Sequence, residues 1–234
     1  LARLYREVAL IAPAFDRDRE VIQLHFGGGT PNFLNPTQLV DTVDVLRRQF
    51  HFADRRDSDI SIEIDPRFCD PAWMPALAAS GFNRASLGVQ DFDPKVQAAV
   101  NRLQTVEETR TVVDAARSAG FRSVNIDLIY GLPGQNLEGF GKTLDIVTEI
   151  RPDRLAVYSY AHMPHLFKAQ KQIDEALLLD GDAKLALLQL AVEKLTAAGY
   201  VYIGMDHFAL PDDDLAQAQQ RGGLHRNFMG YTTH

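Results

Sequence analysis

Gln23-Leu-His-Phe-Gly-Gly-Gly-Thr-Pro31 alternates apolar and polar residues and then stops at three consecutive glycines. Its alternation predicts a short strand, and the glycines predict a turn with no Cβ to keep another molecule away from the backbone. Four later segments repeat the pattern: Ser61-Ile-Glu-Ile-Asp65, Ser86-Leu-Gly-Val-Gln90, Ser123-Val-Asn-Ile-Asp127 and Leu155-Ala-Val-Tyr-Ser-Tyr160. Each leads through a turn into a helical pattern. Strand and helix in repeated alternation predict parallel strands joined by right-handed crossovers, in an α/β barrel or a doubly wound sheet.

The phase of the alternation adds to this. Ile22, Leu24, Phe26, Ile60, Ile62, Ile64, Leu87, Val89, Val124, Ile126 and Leu128 can all face the helices. The other face then carries Gln23, His25, Ser61, Glu63, Asp65, Arg84, Ser86, Gln90, Asn125, Asp127, Tyr158 and Tyr160. A barrel normally fills its lumen with branched apolar side chains. Burying these polar groups without partners costs about 1–3 kcal/mol each, so the pattern predicts a polar ligand inside.

Composition narrows the classes of function. The 234 residues suffice for one substantial core, and a net charge of −7 with no Lys/Arg cluster argues against nucleic acid as a partner. No run of eighteen apolar residues predicts a membrane helix, and no secretory signal is visible. One cysteine, Cys69, excludes an internal disulfide framework and fits a cytoplasmic location. Leu1, Leu4, Tyr5, Val8 and Ile11 form an amphipathic helical stripe with no capping residue before it, and the expectation is that sequence precedes Leu1.

Along the chain, Asn35-Pro36 predicts a capped helix start with Leu39, Val43 and Leu46 inward, and Asp54–Asp59 reads as a charged loop. Asp70-Pro71 and Asp93-Pro94 open two further helices, and Thr105 with Glu108 predicts a capping box for 106–119. Helices follow at about 137–150 and 182–198, the latter with Leu185, Leu188, Ala191 and Leu195 inward. From Gly204 onward the chain reads as loop. The expected division is a partial barrel over 1–203 and the start of a C-terminal extension or lid over 204–234.

The motifs weigh unequally. GGGTP is not a dinucleotide fingerprint, because G-x-G-x-x-G needs glycine where Asn32 stands, and Pro31 and Pro36 delay the helix. It is either a tight turn alone or a backbone wall for a small charged group such as an amino acid's ammonium and carboxylate. Glu63, Gln90 and Asp127 fall at successive strand tails, where barrel enzymes place their sites. Mutual hydrogen bonding with Asn125 and Ser86 is the alternative for them. Arg102 reads as a helix-end surface arginine. Pro164 keeps His162 and His165 off one helical turn, so no metal site is predicted, and Cys69 reads as an inert thiol.

Phe26-Gly-Gly-Gly-Thr-Pro31, Ile62-Glu-Ile-Asp-Pro66, Gly81-Phe-Asn-Arg-Ala-Ser-Leu-Gly-Val-Gln-Asp-Phe92, Val124-Asn-Ile-Asp-Leu-Ile-Tyr-Gly-Leu-Pro133, Tyr160-Ala-His162 and Gly204-Met-Asp-His-Phe208 resemble the oxygen-independent coproporphyrinogen III oxidases, a radical S-adenosylmethionine (SAM) family. The resemblance runs in order over essentially the whole chain. It implies an incomplete (β/α)6 radical SAM barrel whose first strand and C-terminal domain are missing from this chain. It also implies a [4Fe-4S] cluster, and cluster cysteines are expected upstream of Leu1. The implied activity converts two propionates of coproporphyrinogen III to vinyl groups, giving protoporphyrinogen IX, by means of a 5′-deoxyadenosyl radical.

Carried over by position, the resemblance places Gly28 and Glu63 at a first SAM molecule. Gly29, Thr30, Gln90, Arg102, Asp127 and Ala161 fall around a second. It further implies an electron donor to the cluster and a monomeric parent enzyme. The chain itself holds none of the three cluster cysteines and is expected to be inactive alone. Arg84, Arg102, His207 and Arg226 are candidate cations for the substrate's carboxylates by residue type. A haem chaperone built on a similar barrel and a noncatalytic SAM-binding module are the alternative functions.

Overall fold

The computed structural model describes residues 1–54, 58–227 and 230–233, so 55–57 of the expected charged loop and 228, 229 and 234 of the tail lie outside the described residues. The chain divides into two compact units, Leu1–Leu87 with Thr111–Val124, and Gly88–Arg110 with Asn125–His234.

The first unit opens with α1 (Ala2–Ile11), followed by β1 (Glu20–Val21), β2 (Gln23–Phe26), α2 (Pro36–Gln49), β3 (His51–Phe52), β4 (Asp59–Ile64) and α3 (Met74–Ala79). Helix α2 starts where the sequence says it should. Asn35 accepts from the Gln38 amide while Gln38 caps the Asn35 amide, a reciprocal box contributing about 1 kcal/mol. Leu39 and Val43 are fully buried. Strand β5 (Arg84–Gln90) begins in this unit, and β2, β4 and β5 are parallel neighbours with His25 opposite Ser61 and Glu63 opposite Ser86. Ile60, Ile62, Ile64 and Leu87 lie on the buried face. A separate parallel pair of β1 with β3, each two residues long, was too short to leave a periodic signal.

In the second unit the chain forms α4 (Pro94–Ala99) and the start of α5 (Val106–Ser118), whose capping box is made by Thr105 and Glu108. After β6 (Ser123–Tyr130) come α6 (Leu137–Ile150), β7 (Arg154–Ser159) and α7 (Gly181–Ala197). Phe140, Leu144 and Val147 of α6 are fully buried, and α7 packs beside Gly141, with Lys194 and Leu190 at ordinary contact distance, 3.6 and 3.7 Å, from where a Cβ would stand. Strands β6 and β7 are parallel, with Asp127 opposite Ala156.

Four expectations need correction. Beyond Gly204 the chain is not loop: β8 (Val201–Gly204) pairs antiparallel with β9 (His207–Ala209), which pairs antiparallel with β7. Helix α8 (Asp214–Gln220) and the hairpin β10 (His225–Asn227) with β11 (Gly230–Thr232) follow. The stripe of α1 is not buried, and Leu1, Leu4 and Ile11 are exposed. Ile22 precedes its strand and is exposed. In α7 the inward leucine is Leu187 and not Leu185, because the run Leu-Ala-Leu-Leu-Gln-Leu offers more than one apolar stripe.

Candidate functional site

In the first unit the site is built at the carboxyl ends of β2 and β4. Leaving β2, the chain enters Gly27-Gly-Gly29, and Gly28 takes φ +96°, a left-handed conformation natural to glycine. A Cβ on Gly28 or Gly29 would meet nothing within 4 Å, so their backbone faces open space. Glu63, at the tail of β4, reaches across. Its Oε2 accepts from the Gly28 amide at 3.2 Å, and its Oε1 lies 3.2 Å from His25 Nε2. The other ring nitrogen of His25 lies 2.8 Å from Ser61 Oγ. Ser61, His25 and Glu63 share the polar face, as the alternation predicts, and with the Gly28 amide they form one hydrogen-bonded chain.

Thr30 follows in an extended conformation, exposed and without a side-chain cap bond, as the last residue before a 3-10 turn (Pro31–Phe33). Behind the turn, buried Asn32 donates Nδ2–H to the Asp65 carbonyl at 3.0 Å and accepts from the Asp65 amide at 2.9 Å. Asp65 itself pairs with Arg67 at 2.7 Å instead of opening to a ligand. Arg84 sits at the amino end of β5 in a 2.7 Å pair with Asp59, its charge balanced at the wrong end of the strand for anion binding. It leaves the set of substrate cations.

In the second unit, Gln90 and Arg102 come together over Gly88. Arg102 donates to the Gly88 carbonyl at 2.7 Å, and a Cβ on Gly88 would lie 3.2 Å from both the Arg102 guanidinium and the Gln90 amide. Arg102 is therefore turned onto the strand tail, and the surface reading of it fails. Gln90, the last residue of β5, holds φ +70°, a left-handed conformation uncommon outside glycine. Asp127 accepts from Asn125 at 2.8 Å on the same face of β6. Ala161 is exposed, with its carbonyl accepting from Gln170 at 2.9 Å.

A second cluster in this unit joins two of the candidate cations. The His207 ring lies edge-on between Tyr158 and Tyr231, at 5.9 and 5.2 Å, and the Arg226 guanidinium lies 5.9 Å from the Tyr231 ring centre. His207 Nδ1 is buried with no hydrogen-bond partner among the described residues. Burial holds its pKa below the ordinary range, with Arg154 and Arg226 adding to the fall and Asp206 opposing it. His162 lies 3.2 Å from the Tyr160 hydroxyl and 3.4 Å from Glu175, and the described residues contain no group of three or more metal-ligating side chains.

Sequence reasoning passed over two positioning residues. Asn32 was visible only as a missing glycine. Asp91, next to Gln90 and 1% exposed, accepts from Thr143 at 2.5 Å and from the Asp93 amide at 2.8 Å, and also takes the Gln135 amide. Gln135 in turn caps the amides of Gly131 and Leu132. The adjacency of Asp91 to a strand tail was the available signal.

Residues 2–147 match the Radical SAM superfamily. An oxygen-independent coproporphyrinogen III oxidase of Pseudomonas aeruginosa is 55% identical over 234 residues, 100% of this chain and 51% of that protein. The enzyme of the same name from Escherichia coli is 51% identical over 233 residues, 100% of this chain and 50% of that protein. The solved structure of coproporphyrinogen III oxidase from Escherichia coli superposes with a TM-score of 0.94 at 51% identity, covering 99% of this chain and 52% of that one. The chain thus spans about half the length of the curated relatives it matches. The archaeal Methanocaldococcus infernus Elp3, with a TM-score of 0.56 at 16% identity over 80% of this chain and 48% of that one, speaks for the fold alone.

Proposed function

The chain belongs to the radical SAM superfamily, and from that premise we propose that the protein it forms part of is a cytoplasmic oxygen-independent coproporphyrinogen III oxidase. The observation that carries this reading is the likeness to oxidases of that name along the whole chain, at identities well above those that reflect fold alone. No helix among the described residues is long and apolar enough to cross a membrane.

The first unit's turn fits SAM. Open glycine backbone at Gly28 and Gly29 can meet the amino-acid end, and the Glu63 carboxylate suits an ammonium or the ribose hydroxyls. Gln90, Arg102, Asp127, Thr30 and Ala161 are assigned to a second SAM molecule, with Arg102 as its carboxylate partner. SAM held at the glycine turn would supply, on one-electron reduction by the external donor, the adenosyl radical that removes a hydrogen atom from a substrate side chain.

A [4Fe-4S] cluster does not fit these residues. Its ligands are several thiolates, and Cys69 is the one cysteine of the sequence. The iron ligands must come from outside the described residues. Of the candidates, Arg226 is assigned to a substrate propionate as its charge partner and His207 as a hydrogen-bond partner, because both converge on Tyr231. Each propionate then loses one hydrogen atom, carbon dioxide and one electron to an acceptor, leaving a vinyl group.

The test is anaerobic incubation of the full-length protein with SAM, a low-potential reductant and coproporphyrinogen III, followed by mass analysis. Protoporphyrinogen IX is the expected product. Stable haem uptake without a vinyl product would replace this reading with the chaperone.

A further inference from the structure

We infer that His25 is a positioning residue: it donates Nε2–H to Glu63 Oε1 and so fixes the carboxylate in the one orientation that leaves its outer lone pairs facing the open glycine turn. This rests on the reading above, in which Glu63 meets SAM.

The hydrogen-bond chain sets the direction of each bond. Ser61 Oγ has two acceptors within reach, His25 Nδ1 at 2.8 Å and the Leu24 carbonyl at 3.5 Å. The Glu63 carboxylate can only accept, so its 3.2 Å contact with the ring needs the hydrogen on Nε2. In that neutral tautomer Nδ1 is left to accept from the Ser61 hydroxyl at 2.8 Å, the shorter of the hydroxyl's two contacts. One carboxylate oxygen is then held by the ring and the other by the Gly28 amide. A carboxylate tied at both oxygens cannot swing about its terminal bond, and a ligand meets it already oriented.

Two further observations favour orientation over stability as the purpose. The His25 and Glu63 side chains are 32% and 42% exposed, and pairs so open to water contribute little to folding. Gly27 is also shaped to the pair. A Cβ there would lie 2.4 Å from His25 Nε2 and 2.9 Å from Glu63 Oε1, so any larger residue displaces the ring from the carboxylate. Glycine at 27 serves this contact, whereas Gly28 and Gly29 have open space where a Cβ would point.

Two substitutions separate the ring's two ends. His25→Gln keeps an amide N–H near the Nε2 position and loses the Ser61 contact, while His25→Asn keeps the Ser61 contact and loses the reach to Glu63. The measurement is equilibrium dialysis of SAM against the full-length, cluster-loaded protein, with iron content and melting temperature confirming that each variant folds. We expect H25N to bind about tenfold more weakly and H25Q to stay within about threefold of the parent, as supporting partners of a ligand-binding group behave. In an E63Q background, H25N should add less than about a twofold loss, because the group it positions is gone. Gly27→Ala should match H25N.

Equal losses in H25N and H25Q, or a tenfold loss from H25N that persists in E63Q, would overturn the positioning role and leave Glu63 as a ligand. An E63Q variant that binds as tightly as the parent would sink the reading of Glu63 and this inference together. The His25 ring 15N shifts give a readout independent of turnover: E63Q should move the Nε2 signal, and an unmoved signal would overturn the contact itself.

Discussion

Asn32 and Asp65 clasp one another through two buried hydrogen bonds, side-chain amide to backbone carbonyl at 3.0 Å and backbone amide to side-chain oxygen at 2.9 Å. In this way Asn32 does for the loop what a further pair of ladder bonds would do for a strand, and it ties the end of the glycine turn to the tail of β4. Asn32→Ala removes both bonds at once and should cost about 2–3 kcal/mol. Asn32→Asp should cost at least as much, since a buried carboxylate cannot donate to the Asp65 carbonyl and would set two acceptor oxygens against each other. Urea unfolding of the two variants measures this. A loss below about 0.5 kcal/mol in both would mean that the turn is held by other contacts.

Helix α7 offers a sharper contrast. Leu187 is 1% exposed and Leu185 is 54% exposed, two positions apart in the same leucine-rich run. Leu187→Ala should cost about 2–5 kcal/mol by leaving a cavity, and Leu185→Ala should lie within about 0.5 kcal/mol of the parent. A larger loss from Leu185→Ala than from Leu187→Ala would show that the helix sits in the rotation the apolar pattern suggested.

These contrasts mark what the sequence made legible. Strand tails were readable because alternation of Ile60, Ile62 and Ile64 against Ser61 and Glu63 has one consistent phase. The phase of α7 was not, since Leu185, Leu187, Leu188 and Leu190 satisfy several helical stripes equally. Strands β8 and β9 were missed for being three or four residues long. Glu63 was legible as a candidate, but its tie to His25 depends on the register that sets His25 opposite Ser61, and register is a property of the pairing and not of either strand. Arg102 looked like a surface residue because its backbone position, just beyond α4, says nothing of a side chain folded back over Gly88.

Cys69 should resist alkylation. With its pKa pushed up to about 12, only a trace is thiolate at pH 8, and its reaction with iodoacetamide should be on the order of a thousandfold slower than that of free cysteine. The sign for stability follows. Between the unfolded thiol's value and about 12 the fold holds a proton that the unfolded chain has lost, so stability is lost as pH rises through that window. Cys69→Ser should remove this alkaline loss. Fast labelling of the native protein at pH 8 would contradict the burial.

His207 titrates in the opposite sense. Its pKa is held below the ordinary value, first by burial and then by Arg154 and Arg226, so on acidification the unfolded chain takes up a proton before the fold does. Stability should therefore fall as pH drops through about 6.5, with a slope from this one group of at most about 1.4 kcal/mol per pH unit. His207→Gln should flatten that part of the profile when urea unfolding is compared at pH 7.5 and 5.5. Under the proposed function the same depression bears on the substrate. Near neutral pH a His207 kept uncharged can hydrogen-bond a propionate but cannot pair with it as a cation, which leaves the charge to Arg226. Arg226→Ala should then raise KM for coproporphyrinogen III more than His207→Gln does. A larger effect from His207→Gln would mean that the imidazole is protonated when substrate binds.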